Sequence, residues 1–356
     1  MTDKLRFAEA VCAGHPDRLA DTIAERIVAL AVSRDPDALV GVEVALHRNV
    51  VFVDGRVAAG RGGVAAVDES EVVAIARQVF ADAGYGPTPS GVFPPAPEEL
   101  EVRTDLCLGP LPEDERAIRD VSDDQSICVG HAVWGPRARH RPLEQALASD
   151  FAAALERLRT EQPALGLGPD GKALVAVRGR ALVGVSLSVH HARGVDWVAL
   201  TRAVRSTCEA VAAEYVAWRE LEPLGPDADW LVNGAGAFEV GGPSGDNGLS
   251  GKKLVAQACG SAVPIGGGAT CGKDPHKVDP RGQALARRLA LEAVCQGNAR
   301  EATVWLAYRP GDVTPCWTEV VALPDDEHTE DAKFQHWQDL SDEYRARMKA
   351  GAKRKS

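Results

Sequence analysis

Residues 241–253 read Gly241-Gly242-Pro243-Ser244-Gly245-Asp246-Asn247-Gly248-Leu249-Ser250-Gly251-Lys252-Lys253. Residues 266–279 read Gly266-Gly267-Gly268-Ala269-Thr270-Cys271-Gly272-Lys273-Asp274-Pro275-His276-Lys277-Val278-Asp279. Glycine takes φ > 0 at little steric cost and lets a backbone approach a ligand closely. N–H groups exposed in such turns form anion-binding concavities. Each loop carries lysines near its end, Lys252 and Lys253 in the first and Lys273 and Lys277 in the second. Lysine is a compact positive charge suited to phosphate. The two loops together therefore read as a polyphosphate cradle. Within it, Asp246 and Asp279 are placed to hold a divalent cation against the phosphates.

No shorter nucleotide fingerprint accounts for these loops. Five residues, not four, separate Gly245 from Gly251, and Lys253 stands where a P-loop has Ser or Thr. Gly234-Ala235-Gly236 lacks the third glycine of a dinucleotide motif.

The chain has 356 residues, enough for one to three domains. It is 45% hydrophobic and 26% charged, the composition of an ordinary soluble globular protein. The formal net charge of -11 argues against nucleic acid or an anionic membrane as partners. Positive charge must instead be concentrated locally, as the loops do. The eight cysteines form no C-x-x-C pair and no metal spacing, which points to a reducing, cytoplasmic setting. The N-terminus lacks the apolar stretch of a signal peptide, and no apolar run reaches membrane-spanning length.

Residues 5–16 lead into a helix expected over Asp17–Val32, with Pro16 at its first position and Leu19, Ile23, Ile27 and Leu30 at helical spacing. Asp17 and Asp21, four apart, face the same way. Val40–Leu46 and Val50–Val53 read as a hairpin, with Asp54-Gly55 marking the next turn. A second helix is signalled by Val72, Ile75, Ala76, Val79 and Phe80. From Tyr85 to Asp123 the periodicity dissolves; seven prolines there indicate a functional loop or lid. Helices follow at Leu143–Arg159, Trp197–Arg219 and Gln283–Cys295. Hairpins are expected for Ala173–Val177 with Ala181–Val189, and for Ala302–Tyr308 with Trp317–Leu323. Hairpins centred near residues 48, 180 and 311 hint at three related α/β modules. Residues 324–356 form a charged tail, in which 331–350 is a candidate helix.

Gly14-His15-Pro16-Asp17-Arg18, taken with the two glycine-rich loops, resembles the S-adenosylmethionine synthetase (methionine adenosyltransferase) family. That family carries G-H-P-D-K, then G-G-P-x-G-D-x-G-L-[TS]-G-[RK]-K, then G-G-G-A-x-x-G-K-D-x-x-K-V-D. All three stand here in order, the first with Arg18 for lysine. The resemblance covers residues 5–323. It implies an α/β (α+β) fold of three pseudo-threefold-related modules, here 1–112, 113–235 and 236–323, followed by the tail. It also implies a homodimer or dimer of dimers with sites at the subunit interface.

The implied reaction is attack of the methionine sulfur on C5′ of ATP, expelling triphosphate that is then hydrolysed. A thioether has no proton to lose, so no general base is needed. Positioning and charge on the leaving group set the barrier. By resemblance the catalytic residues are His15, Lys172, Lys273 and Asp246. ATP contacts fall to His15, Arg18, Asp170, Lys172, Phe238, Asp246, Lys252, Lys253, Ala269 and Lys273, with Phe238 stacking on adenine. Asp17 and Asp279 correspond to Mg²⁺ ligands and Glu43 to a K⁺ ligand. Arg56, Asp124, Asp246, Lys277 and Arg309 correspond to the amino-acid pocket.

That pocket departs from the family pattern. Arg56 replaces the glutamate that meets the methionine ammonium, and Arg309 stands near an apolar position. The glycines flanking Asp124-Gln125 are replaced by Asp123 and Ser126, and the segment after Pro112 is short. Two readings of the nucleophile stay open. Either Arg56 selects an anionic or deaminated analogue of methionine, or Asp54 or Asp124 meets the ammonium instead. A catalytically silent nucleotide-binding homologue is the alternative from another class.

Overall fold

The computed structural model describes residues 4–296 and 299–324. In chain order these form β1 (Leu5–Val11), α1 (Pro16–Arg34), β2 (Leu39–His47), β3 (Val50–Ala58), α2 (Glu69–Ala83), β4 (Gly86–Thr88), β5 (Gly91–Phe93) and β6 (Glu101–Gly109). Then come α3 (Glu113–Arg116), β7 (Ser126–Val133), α4 (Leu143–Glu161), β8 (Leu167–Arg178), β9 (Ala181–His191), α5 (Trp197–Ala217) and β10 (Asp229–Val232). The chain continues through β11 (Gly248–Leu249), α6 (Leu254–Gln257), α7 (Val278–Cys295), β12 (Ala299–Tyr308) and β13 (Trp317–Pro324).

The fold is mixed α/β, with three larger sheets each built around one expected hairpin. One has the strand order β1-β8-β9-β10, another β11-β2-β3-β6 and the third β13-β12-β7. Two compact units are present. Among the described residues, the first comprises 4–119, 142–263 and 269–276, and the second 120–141, 264–268, 277–296 and 299–324.

In the first unit, α1 starts where local chemistry dictates. His15 caps it through Nδ1, which accepts from Asp17 N at 3.2 Å, and Pro16 needs no partner at the first position. Leu19, Ile23 and Ile27 are fully buried, packed with Val40, Val51, Val53, Val72 and Phe80. α2 opens with a capping box between Asp68 and Glu71 and closes on Gly84 at φ 96°. In the second unit, α7 packs Ala286, Ala290 and Val294 with Val304, Leu306 and Tyr308 of β12.

Three expectations need correction. Residues 5–11 form strand β1, antiparallel to β8, rather than a lead-in to the helix. Asp54-Gly55 is not a turn. β3 runs on to Ala58, and Gly55 sits at φ 114° because a Cβ there would lie 2.2 Å from the Gly41 carbonyl oxygen of β2. The proline-rich stretch after Tyr85 is not one loop. It holds the β4–β5 hairpin, β6 parallel to β3, and α3. Prolines bound β6 without interrupting it, so its pairing survives. The candidate helix at 331–350 lies outside the described residues.

Candidate active site

Both glycine-rich loops dock on one edge of β2. Leu249 and Gly248 pair with Ala45 and Leu46. Ser250 N donates to Val44 O and Ser250 Oγ accepts from Val44 N, both at 2.9 Å. Farther along the same strand, Val42 N donates to Gly272 O at 2.9 Å, Lys273 bridges to Gly41, and Asp274 N donates to Val40 O. One strand edge thus sets the spacing between Lys252-Lys253 and Lys273.

The N-terminal turn of α1 reaches the same loops. Asp17 Oδ1 accepts from Leu249 N at 3.1 Å and stands 3.4 Å from Lys252 Nζ. Its Oδ2 is buried without a hydrogen-bond partner, 3.8 Å from Lys253 Nζ. One turn on, buried Asp21 accepts from Gly251 N at 2.8 Å and Cys271 Sγ at 3.1 Å, and also from Gln257. Asp21 therefore ties the two loops to each other, a role beyond the shared helix face read from spacing.

His15 is buried beside these groups. Desolvation, reinforced by the Lys172 ammonium, holds its pKa down at about 4. Because Nδ1 accepts from the backbone, the ring proton of the neutral imidazole resides on Nε2, which is then a donor. Asp170 on β8 accepts from Gly242 N at 2.8 Å while its Oδ1 has no partner; burial pushes its pKa up. Gly242 takes φ 62°, and a Cβ there would strike the Tyr85 hydroxyl at 2.0 Å. Tyr85 in turn donates to Gly14 O at 2.5 Å. Tyr85 was not singled out from the sequence, because its partners Gly14 and Gly242 are remote from it in the chain.

The remaining expected residues of this unit take varied positions. Asp246 is exposed, its Oδ1 accepting from Asn247 N at 2.8 Å, and its charge acts on His15. Lys252 Nζ also donates to Asn247 Oδ1 at 3.3 Å. Lys172 lies on β8 between Val11 of β1 and Ser188 of β9. Ala269 is half-buried, and a Cβ on Gly251 would come within 2.9 Å of its methyl group. Half-buried Phe238 has its ring centroid 5.5 Å from that of His190, whose pKa burial lowers to about 4. Glu43 Oε2 accepts from Ser250 Oγ at 2.8 Å. Arg18 pairs with Glu25 at 3.3 Å on the outside of α1. Arg56 is engaged by Glu115 of α3 at 2.9 Å.

In the second unit, Lys277 pairs with Asp123 ahead of α7. Asp279, in the first turn of that helix, accepts from Ser126 Oγ at 2.6 Å. A Cβ on Gly268 would lie 2.1 Å from Asp279 Oδ1, so the carboxylate needs a glycine beside it. Asp124 is exposed and bonds its neighbour's N–H. Arg309 pairs with Asp312 at 3.1 Å, 5.8 Å from the Trp317 ring centroid.

Among the described residues, no cluster of three or more His, Cys, Asp or Glu is poised for a metal. Mg²⁺ in phosphate chemistry needs only one or two carboxylates, with water and phosphate completing its shell. The orphaned, buried Oδ2 of Asp17 fits that mode.

The fold is that of a mixed α/β protein in which a strand edge and a helix N-terminus gather lysines and aspartates around glycine-rich backbone. Comparisons with known proteins narrow the class. The sequence model for the S-adenosylmethionine synthetase N-terminal domain matches residues 3–97, and that for the C-terminal domain matches residues 240–348. S-adenosylmethionine synthase 1 of Rhodospirillum rubrum is 34% identical over 319 residues, 86% of this chain and 78% of the relative. The corresponding protein of Frankia casuarinae is 33% identical over 353 residues, covering 91% and 85%. That of Hyphomonas neptunium is 32% identical, covering 86% and 78%. The chain belongs to the S-adenosylmethionine synthetase family and is a transferase of that type. The C-terminal match also runs past Leu323, where the resemblance was expected to stop.

Proposed function

We propose that the protein transfers the adenosyl group of ATP to the sulfur of methionine, giving S-adenosylmethionine, phosphate and diphosphate. The observation that supports this reading is the common edge of β2, which carries both lysine-bearing loops, the first meeting α1 at Asp17 and both meeting it at Asp21. The sulfur lone pair forms the new bond to C5′ as the C5′–O bond breaks, the electron pair leaves with the triphosphate, and water then cleaves one P–O–P bond of the triphosphate to give phosphate and diphosphate. His15, neutral with its proton on Nε2, donates to the triphosphate oxygen next to the breaking bond. Lys172, Lys252, Lys253 and Lys273 stabilise the charge that builds on the leaving group. Arg18, Asp170, Asp246 and Ala269 complete the ATP contacts, and Phe238 stacks on adenine. Asp17 and Asp279 would hold Mg²⁺ and Glu43 K⁺; bound there, the cations would offset triphosphate charge.

Methionine is favoured over an anionic analogue by a specific observation: the guanidinium groups of Arg56 and Arg309 already face carboxylates, Glu115 and Asp312. Their charge is thereby largely answered within the chain. Asp54 or Asp124 is left for the substrate ammonium, with Lys277 near its carboxylate. We further read the protein as a cytoplasmic homodimer or dimer of dimers, divided into modules at residues 112, 235 and 323. The eight cysteines, with no C-x-x-C pair and no metal spacing, support a reducing compartment.

Mass spectrometry of products from ATP, Mg²⁺, K⁺ and a panel of thioethers tests the reaction. The expected product is the methionine sulfonium, with a kcat/KM well above that for the keto acid of methionine. Absence of any adenosyl product would leave the silent-homologue reading; preference for the keto acid would restore a selective role for Arg56.

A further inference from the structure

The segment just before the second unit, α3 with the residues on either side, is fastened at three places. Glu115 pairs with Arg56 of β3 at 2.9 Å. Arg116, largely buried, grips both carboxylate oxygens of Asp35 at 2.7 and 2.8 Å and Asp37 at 2.8 Å. This mutual grip holds the Asp35 carboxyl well below the usual range. Arg119 donates from Nε to Asp37 O and from a terminal nitrogen to Ala38 O, each at 3.0 Å, and reaches Asp274 Oδ1 at 2.5 Å.

Asp274 is fully buried and follows Lys273 directly. Its Oδ2 accepts from Val40 N at 2.7 Å, its own N–H donates to Val40 O at 3.1 Å, and Oδ1 also accepts from His276 N at 2.9 Å. The Asp274 carboxylate thus adds a side-chain anchor to the backbone bonds that set the second glycine-rich loop on β2. A buried carboxylate of this kind needs a cationic partner, and Arg119 supplies it from a fork geometry that lysine lacks.

We propose that Arg119 is a positioning residue for the triphosphate cradle: by clamping Asp274 against Val40 it fixes where Lys273 presents its ammonium. The inference rests on the cradle reading of Lys273. Arg116 makes the same kind of bond one turn away but touches neither glycine-rich loop, so it serves as the internal comparison.

Matched substitutions Arg119→Lys and Arg116→Lys keep the charge and remove the fork. Binding of inorganic triphosphate with Mg²⁺ is read by calorimetry, alongside Tm, for both variants, Lys273→Ala and the unaltered protein. Arg119→Lys is expected to weaken triphosphate binding roughly tenfold, the size seen when a partner that orients a binding group is lost. Arg116→Lys is expected to lower Tm while leaving triphosphate affinity within about twofold, since it bonds none of the cradle. Asp274→Asn, which keeps the shape and removes the charge that holds Arg119, should reproduce the Arg119→Lys effect if that variant folds poorly. Unchanged affinity in both Arg119→Lys and Asp274→Asn, or equal losses at Arg116 and Arg119, overturns the inference. If Lys273→Ala also binds like the unaltered protein, it is the cradle reading that has failed.

Discussion

His15 serves helix and fold at once, and in the proposed reaction it serves the chemistry as well. It caps α1 with Nδ1, which leaves the proton on Nε2, and burial keeps the ring neutral. The linkage has a definite sign. Folding lowers its pKa from 6.5 to about 4, so the unfolded chain binds the proton first as the solution is acidified. The stability tied to His15 is complete above about pH 6.5 and is lost as pH falls towards 4, amounting to about 3 kcal/mol in full. His190 has the same sign, so the informative measurement is a difference. Tm of His15→Gln should fall less than that of the unaltered protein between pH 6.5 and 4; parallel curves would remove His15 from the account. At the same scale, Lys273→Ala or Asp279→Asn should lower turnover at least ~100-fold, the usual effect of removing a preorganised charge at a developing anion. Phosphate release at an undiminished rate in either variant would withdraw that residue from the site.

Elements carry the next level. α1 was legible because an apolar stripe at helical spacing follows a proline, and tertiary packing agreed with it. Truncating the stripe at Ile23→Ala should cost about 2–5 kcal/mol, since the side chain is wholly buried in the main core. Urea unfolding gives that number directly, and a loss below 1 kcal/mol would mean the site collapses around the cavity. The polar side of the same helix has a different duty. Asp21→Ala removes the acceptor for Gly251 N and Cys271 Sγ, so both loops loosen together. It should raise the KM for ATP more than it lowers kcat. β1 and β7 were missed because each lies at a sheet edge and neither keeps a strict alternation of apolar and polar residues. β6 was missed because prolines at its borders mask a strand whose partner, β3, lies some fifty residues earlier.

For the whole molecule, the expected homodimer is a matter of surface, and the exposed apolar side chains are informative. Phe7 and Leu174 are exposed on the sheet containing β1, and Phe52 and Leu249 on the sheet containing β2. Sedimentation should give a dimer or a dimer of dimers at micromolar concentration. A fully active monomer would contradict sites shared between subunits.

The glycine-rich motifs and the Gly14–Arg18 run are local in the chain, and their chemistry follows from residue type: glycine for close approach, lysine for phosphate, aspartate for a cation. Such information survives in a one-dimensional string, so the family could be read there. Which groups answer one another could not, because the partners are remote in sequence. Asp21 meets Cys271, Arg119 meets Asp274, and Glu115 meets Arg56 only after chain folding brings distant segments to one strand edge or corner. The charge on Arg56 read alone left an anionic nucleophile open beside methionine. Pairing with Glu115 alters that argument, because a guanidinium already facing a carboxylate presents a much weaker field to a substrate.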